Sequence, residues 1–465
     1  MSTDTLPTHR TIRAQLAHLK ERRIALLGFG VENRALARFL TEYDIDFSVC
    51  DIAPSAQLRA RWPHVSNWHL GPAYLDSLSR YDLLFRTPGL PSLHPALQEA
   101  RAQGGEVSSQ MRLFFALCPC PILAITGTKG KGTTTTLLEN LLKNGQGKRV
   151  FSGGNIGRPP ISFLEKLQRD DLAVLELSSF QLQDLEQSPA IALVLSITQD
   201  HLDHHATREE YVEAKKNICR HQGTDDTLIT NADCMTSRAF AAESPARQWS
   251  FSTRETAKLG ASVEGDHIRL RLPGDESITI CRTNEIPVPG RHNWENICAA
   301  ITAAAAVGAA PASMRASITA FRGLPHRLEF IGERDDIAYY NDSLATTPDA
   351  TCAALRSFTR PIILIAGGAS KGADFALVGA AIATASMRAV ILLGAERPRL
   401  ERAIRTAEYS GELVRNCESL ESAVDVAREL AQAGDLILLS PACASFDMFA
   451  NYKERGDLFK KLCGF

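Results

Sequence analysis

A short apolar run, Pro121–Thr126, leads into Gly127-Thr128-Lys129-Gly130-Lys131-Gly132-Thr133 and then a helical pattern reaching about Leu142. A glycine-rich turn between strand and helix aims backbone N–H groups and a helix N-terminus at an anion, and Lys131 adds a point charge. The spacing departs from G-x-x-x-x-G-K-[ST], because Ile125 stands at the first glycine and Gly132 follows the lysine. The hydroxyl that would meet Mg²⁺ is then Thr133, one residue on. Glu176 closes another apolar run, Leu172–Leu177, where a carboxylate beside a phosphate loop suits Mg²⁺. Read alone, Glu176 is equally a solvent-facing strand end. Asp200-His201-Leu202-Asp203-His204-His205 is dense enough in imidazole and carboxylate to bind a metal, with a surface histidine cluster as the alternative.

Nearer the N-terminus, Gly28-Phe29-Gly30-Val31-Glu32-Asn33 opens like a dinucleotide fingerprint but carries Asn33 at the third glycine. Asp51 lies where a ribose-binding acid often sits. Two glycines leave a dinucleotide, another nucleotide-like ligand and a structural turn all open. Cys118-Pro119-Cys120 reads as buried thiols, since no second pair completes a zinc tetrad.

The elements that must position these residues follow from the pattern. Strands are expected at Ile24–Leu27, Phe47–Cys50 and Tyr81–Phe85, with a helix from Glu32 to Tyr43. After a small, polar boundary region at Gln103–Ser109 come Pro121–Thr126, Leu172–Leu177, Ala192–Ser196 and Thr227–Thr230, then an alternating segment near Ile268–Cys281. From about Arg327 the strands read Ala338–Asn341, Pro361–Ala366, Ala389–Leu393 and Asp435–Leu439, between Ala-rich helices. Strands alternating with helices imply doubly wound parallel sheets, and the alternating segment a small antiparallel addition.

At 465 residues the chain has room for about three domains. Hydrophobic residues at 45% and charged residues at 22% exclude a disordered chain. A net charge of -2 argues against a nucleic-acid-binding surface as the main function. The 11 cysteines, odd in number and without framework spacing, fit reduced thiols. No apolar run is long enough to span a membrane and the N-terminus is polar, so a soluble cytoplasmic protein is expected.

Taken together, the motifs resemble the Mur ligase family, the ATP-dependent enzymes that build the peptide stem of peptidoglycan. Gly127–Thr133 looks like the family's ATP loop. Gly154-Asn155-Ile156-Gly157, Asp200-His201-Leu202-Asp203, Tyr211-Val212-Glu213-Ala214-Lys215, Gly290–Asn296 and Leu324-Pro325-His326-Arg327 follow in its order. Within the family, Glu176–Leu182, Gly367–Phe375 and Ser440–Asp447 continuing to Asp457 are similar to the glutamate-adding branch. The resemblance implies three α/β domains: residues 1–111 Rossmann-like for a UDP-substrate, 112–325 a P-loop-like ATP domain with a parallel sheet and a small antiparallel addition, and 326–465 Rossmann-like for glutamate.

The implied reaction joins D-glutamate to UDP-N-acetylmuramoyl-L-alanine through an acyl phosphate, for cell-wall synthesis. Lys131, Glu176, His201 and Lys215 would be catalytic. Thr133, Glu176, His201 and a carbamylated Lys215 would hold two Mg²⁺ ions. ATP would meet Gly127, Thr128, Lys129, Gly130, Lys131, Gly132, Thr133, Asn155, Asn293, Asn296, Arg327 and Asp342. The acid substrates would meet Asp51, Thr87, Ser178, Gln181, Thr346, Lys371, Ser445 and Tyr452. A monomer without nucleic-acid or membrane partners is expected. The chain departs from the family's D-S-K-A-T-N at Asp342-Ser343-Leu344-Ala345-Thr346-Thr347, and Tyr452 stands where Phe is common. Loss of that lysine leaves L-glutamate as the alternative substrate. From another class, a nicotinamide oxidoreductase would use Gly28–Asp51 but leave the ATP loop idle. A non-catalytic nucleotide-binding protein would have no need for Glu176, His201 and Lys215 together.

Overall fold

The computed structural model describes residues 9–53, 59, 62–63, 65, 67–145, 147–155, 157–198, 207–274, 276–369 and 373–465. Four sheets organise them. The first contains β1 (Ile24–Leu27), β2 (Ser48–Asp51), β3 (Asn67–Leu70), β4 (Leu83–Arg86) and β5 (Glu106–Ser108) in the order β3-β2-β1-β4-β5, all parallel. Every residue of β1 is buried, as expected of a central strand covered on both faces. Beyond the C-terminal end of β1, helix α1 (Val31–Glu42) begins with Gly30 as its N-cap.

The second sheet is also parallel, with β6 (Ile122–Thr126), β7 (Val150–Gly154), β8 (Leu172–Glu176), β9 (Ile191–Val194), β10 (Thr227–Asn231) and β11 (Arg247–Phe251) in the order β11-β10-β9-β6-β8-β7. Ile125 pairs with Glu176 and Thr126 with Val194, so the C-terminal ends of the three central strands lie level. Around that edge lie helices α2 (Lys131–Gly145), α3 (Ser179–Leu182) and α4 (Arg208–Lys216). The alternating segment supplies β13 (His267–Arg271) and β14 (Ser277–Arg282) of an antiparallel sheet, which the unanticipated edge strand β12 (Gly260–Glu264) completes.

The fourth sheet has β15 (Glu329–Arg334), β16 (Ile337–Asn341), β17 (Ile362–Gly367), β18 (Met387–Leu393), β19 (Glu412–Val414) and β20 (Leu436–Leu439) in the order β15-β16-β20-β17-β18-β19. Only β15 runs antiparallel. The chain divides into two compact units, Met1–Thr283 with Glu295–Ile318, and Asn284–Trp294 with Thr319–Phe465. Among the described residues no helix is long and apolar enough to cross a membrane.

The structure differs from the sequence-based expectation chiefly at sheet edges. The segment 103–109, read as a boundary, contributes β5 to the first sheet. Strands β3, β7, β11, β15 and β19 were not anticipated, and each is an edge strand with partly exposed residues rather than a continuous apolar run.

Candidate active site

The glycine-rich turn joins β6 to α2, and its shape follows from its contacts. The Thr128 N–H donates to the Ser196 carbonyl at 2.8 Å, and its hydroxyl lies 3.0 Å from the Tyr211 hydroxyl. The Thr198 N–H donates to that same threonine oxygen at 2.9 Å. Gly130 has φ +86, which favours glycine, and a Cβ there would stand 2.2 Å from Asn296 Oδ1 and displace that amide. Asn296 Oδ1 also accepts from the Thr134 hydroxyl at 3.4 Å, which fixes the first turn of α2.

Two lysines converge on this turn. Lys131 Nζ donates to the carbonyls of Gly127 and Thr128, each at 3.0 Å. Lys215, on α4 and 1% exposed, donates to the same Gly127 carbonyl at 3.0 Å and to the Thr126 hydroxyl at 3.3 Å. Its helix is started by Thr207, whose hydroxyl accepts from the Glu210 N–H. Glu176, also 1% exposed, ends β8 beside the turn, and one carboxylate oxygen accepts from Asn155 Nδ2 at 2.9 Å. Thr133 is buried within α2, whereas Lys129 and Asn155 are exposed. Behind the turn, Asn231 Nδ2 donates to the Ser196 hydroxyl, which donates to Glu295 Oε1, both at 2.8 Å. Burial holds the Glu295 carboxyl above its usual range.

Ser178 and Gln181 follow Glu176 and form a capping box on α3. Gln181 also donates at 2.6 Å to Glu32 Oε1, in the first turn of α1. The Glu32 carboxyl is pushed up to about 7, first by burial, against the lowering effect of that hydrogen bond and of the Arg86 charge. Asp51 accepts from the Phe29 N–H and, at 2.7 Å, from the Ala53 N–H, so it shapes the Gly28–Gly30 turn. Thr87 lies against that turn: a Cβ on Gly28 would stand 2.5 Å from Thr87 Cγ2.

The second compact unit holds Asn293, Arg327, Asp342, Thr346, Ser445 and Tyr452. Asp342 is buried, its carboxylate accepting from the Ser440 hydroxyl at 2.8 Å and the Leu328 N–H at 3.1 Å. Its carboxyl is pushed up to about 7 by burial, against those bonds and the Arg327 charge. Asn293 donates to the Pro289 carbonyl at 2.6 Å, and Arg327 is exposed. Ser445 is buried, while Thr346 and Tyr452 are half-buried, with the Tyr452 carbonyl accepting from the Ser343 hydroxyl at 2.8 Å. His201 and Lys371 lie outside the described residues.

Sequence reasoning passed over three groups. Arg455, 2% exposed, bonds to the Ser343 hydroxyl and to the carbonyls of Ser343, Cys443 and Ala444, tying the Asp342–Thr347 segment to the Ser440–Ser445 segment. Burial lowers its pKa to about 10. Arg86 joins the first sheet, and Glu32 joins α1, to α3. Glu32 and Arg455 stand inside sequence motifs that assign them no role, and only the tertiary contacts reveal what the three side chains do.

Comparison with known proteins agrees with this arrangement. Residues 22–109 match the model of a Mur ligase MurD-like, N-terminal domain, residues 125–304 the Mur ligase middle domain, and residues 326–443 the Mur ligase, glutamate ligase domain. The UDP-N-acetylmuramoylalanine–D-glutamate ligase of Symbiobacterium thermophilum is 41% identical over 95% of this chain and 98% of its own. That of Acetivibrio thermocellus is 40% identical over 96% of each. Among solved structures, MurF from Acinetobacter baumannii superposes with TM-score 0.60 at 16% identity, covering 97% of this chain and 98% of that one. The UDP-N-acetylmuramate-alanine ligase of Thermotoga maritima gives 0.59 at 17%, covering 95% and 99%. The structural likenesses carry the fold, and the two relatives carry kinship along nearly the whole sequence. The chain belongs to the Mur ligase family.

Proposed function

We propose that this ATP-dependent ligase adds D-glutamate to UDP-N-acetylmuramoyl-L-alanine, forming ADP and phosphate, in the cytoplasmic synthesis of peptidoglycan precursor. One observation carries the chemistry: Lys131 and Lys215 both donate to the Gly127 carbonyl, beside the buried Glu176. The Lys131 charge, with N–H groups at a helix N-terminus, suits a polyphosphate, and Lys215 holds a nitrogen against the same turn. The D-glutamate assignment rests on the two relatives of that name at 41% and 40% identity.

The substrate's alanyl carboxylate attacks the γ-phosphorus of ATP, ADP leaves, and an acyl phosphate results. The glutamate amine then attacks that carbonyl and phosphate leaves. Two anions meet in the first step, so Lys131 and the N–H groups of Gly127–Thr133 offset their repulsion. Asn155, Asn293, Asn296, Arg327 and Asp342 orient the remainder of ATP. Asp51, Thr87, Ser178 and Gln181 serve the nucleotide-sugar side, and Thr346, Lys371, Ser445 and Tyr452 the incoming glutamate.

The donor set fits Mg²⁺. The Thr133 hydroxyl and the buried Glu176 carboxylate offer hard oxygen donors beside the turn, the kind of donor Mg²⁺ takes. Thr133 and Glu176 would hold one ion, and His201 with a carbamylated Lys215 a second. Carbamylation turns an amine into an oxygen-bearing anion and leaves one N–H for an acceptor such as the Gly127 carbonyl. When bound, Mg²⁺ supplies charge neutralisation to the phosphates. The deciding experiment competes the two glutamate enantiomers in one ligase reaction. A clear preference for D-glutamate in kcat/KM is expected; a preference for L-glutamate overturns the stereochemical assignment, and no product with either overturns the ligase reading.

A further inference from the structure

Arg86 ends β4 and is 1% exposed. Its Nε forms an ion pair at 2.6 Å with Asp184, just beyond α3. Its Nη1 donates to the Leu90 carbonyl and its Nη2 to the Phe180 carbonyl, each at 2.7 Å. One guanidinium therefore bonds to the turn that begins at Thr87 and to the short helix that follows Glu176. The Thr87 N–H donates to the Leu27 carbonyl at 2.9 Å, and Thr87 packs against Gly28. A second tie runs from the same helix to α1, from Gln181 to Glu32. Burying a charged side chain this deeply is costly, and a well-packed apolar pair often serves stability as well. What an apolar pair lacks is a rigid planar fork that fixes two carbonyls at once.

We propose that Arg86, together with Asp184, is a positioning residue that sets the turns of the first sheet against the segment carrying Glu176, and so places the substrate's carboxylate for attack. This inference rests on the ligase reading above. Because Arg86 acts through Thr87 and α3 rather than on ATP, its loss should change the nucleotide-sugar parameters and spare ATP.

Two variants test it, Arg86→Lys and the charge-free double variant Arg86→Met/Asp184→Leu, each with its melting temperature and both KM values. Lysine keeps the charge for Asp184 but not the fork; the double variant removes the buried ion pair altogether. In both, KM for UDP-N-acetylmuramoyl-L-alanine should rise, or kcat fall, by on the order of ten- to a hundredfold, with KM for ATP within about twofold of wild type. This should hold for whichever variant melts near wild type. Wild-type constants in Arg86→Lys, or nucleotide-sugar constants that recover along with the melting temperature in the double variant, would overturn the positioning role. An equal rise in both KM values would overturn it too. Wild-type protein without ligase activity would instead remove the functional reading itself.

Discussion

Lys215 is one of the largest fully buried side chains, and its amine donates to a carbonyl and a hydroxyl at the foot of the glycine-rich turn. An ammonium cannot ligate a cation, whereas a carbamate on the same nitrogen can. Lys215→Ala should therefore reduce turnover by orders of magnitude, with short carboxylic acids restoring part of it by supplying the missing anion. Carbon-13 bicarbonate should label wild-type protein and not the variant. An active, Mg²⁺-loaded crystal with a bare amine at Lys215 would contradict the carbamate. If the Asp342–Thr347 segment serves the glutamate as proposed, Leu344 leaves it without the lysine of the motif it resembles, and charge-assisted hydrogen bonds are worth about 1.5–3 kcal/mol. That difference is why the enantiomer competition matters for this chain in particular.

At the scale of elements, the turn between β6 and α2 depends on a backbone that other residues resist. Gly130→Ala forces an L side chain into φ +86 and sets its Cβ against Asn296, which anchors α2. The conformation alone costs about 1–2 kcal/mol. Gly147, at φ +64 with open space around its Cβ, provides the control, since alanine there meets no neighbour. Gly130→Ala should lower the denaturation midpoint more than Gly147→Ala and weaken ATP binding, measured by calorimetry; Gly147→Ala should leave ATP affinity unchanged. Equal ATP affinity in both variants would show that the turn tolerates the displacement.

Across the larger compact unit, Glu32 links α1 to α3 through a carboxyl that burial pushes up to about 7 from the usual carboxylate range. Its folded pKa is raised, so the native state holds the proton more tightly than the unfolded chain. Stability from this group is full below about pH 4.5 and is lost as pH rises through about 7. Asp342 in the second unit, raised from 3.8 to about 7, has the same sign. Glu32→Gln keeps an acceptor for Gln181 and removes the charge. At about 1.4 kcal/mol per pKa unit, the variant should gain on the order of 1–3 kcal/mol on wild type between pH 5 and pH 8. Urea denaturation at both pH values measures it, and a difference that does not change with pH would refute the raised pKa.

The amino-acid order by itself determined the central strands, because β1, β6, β8, β17 and β20 are buried throughout and must be runs of apolar residues. It determined the glycine-rich turn between β6 and α2 as well, since the left-handed backbone at Gly127 and Gly130 favours glycine. The edge strands escaped it because a strand paired on one side only needs no continuous apolar pattern. The buried polar network escaped it for a different reason. Arg86, Glu32, Asp184 and Arg455 are charged residues that a sequence assigns to the surface, and burial becomes affordable only when partners distant in the chain satisfy them. Phe180 meets Arg86, and Ser343 meets Arg455, only after the chain has folded. Tertiary structure decided those contacts, because a hydrogen-bond partner nearly a hundred residues away leaves no local pattern to read.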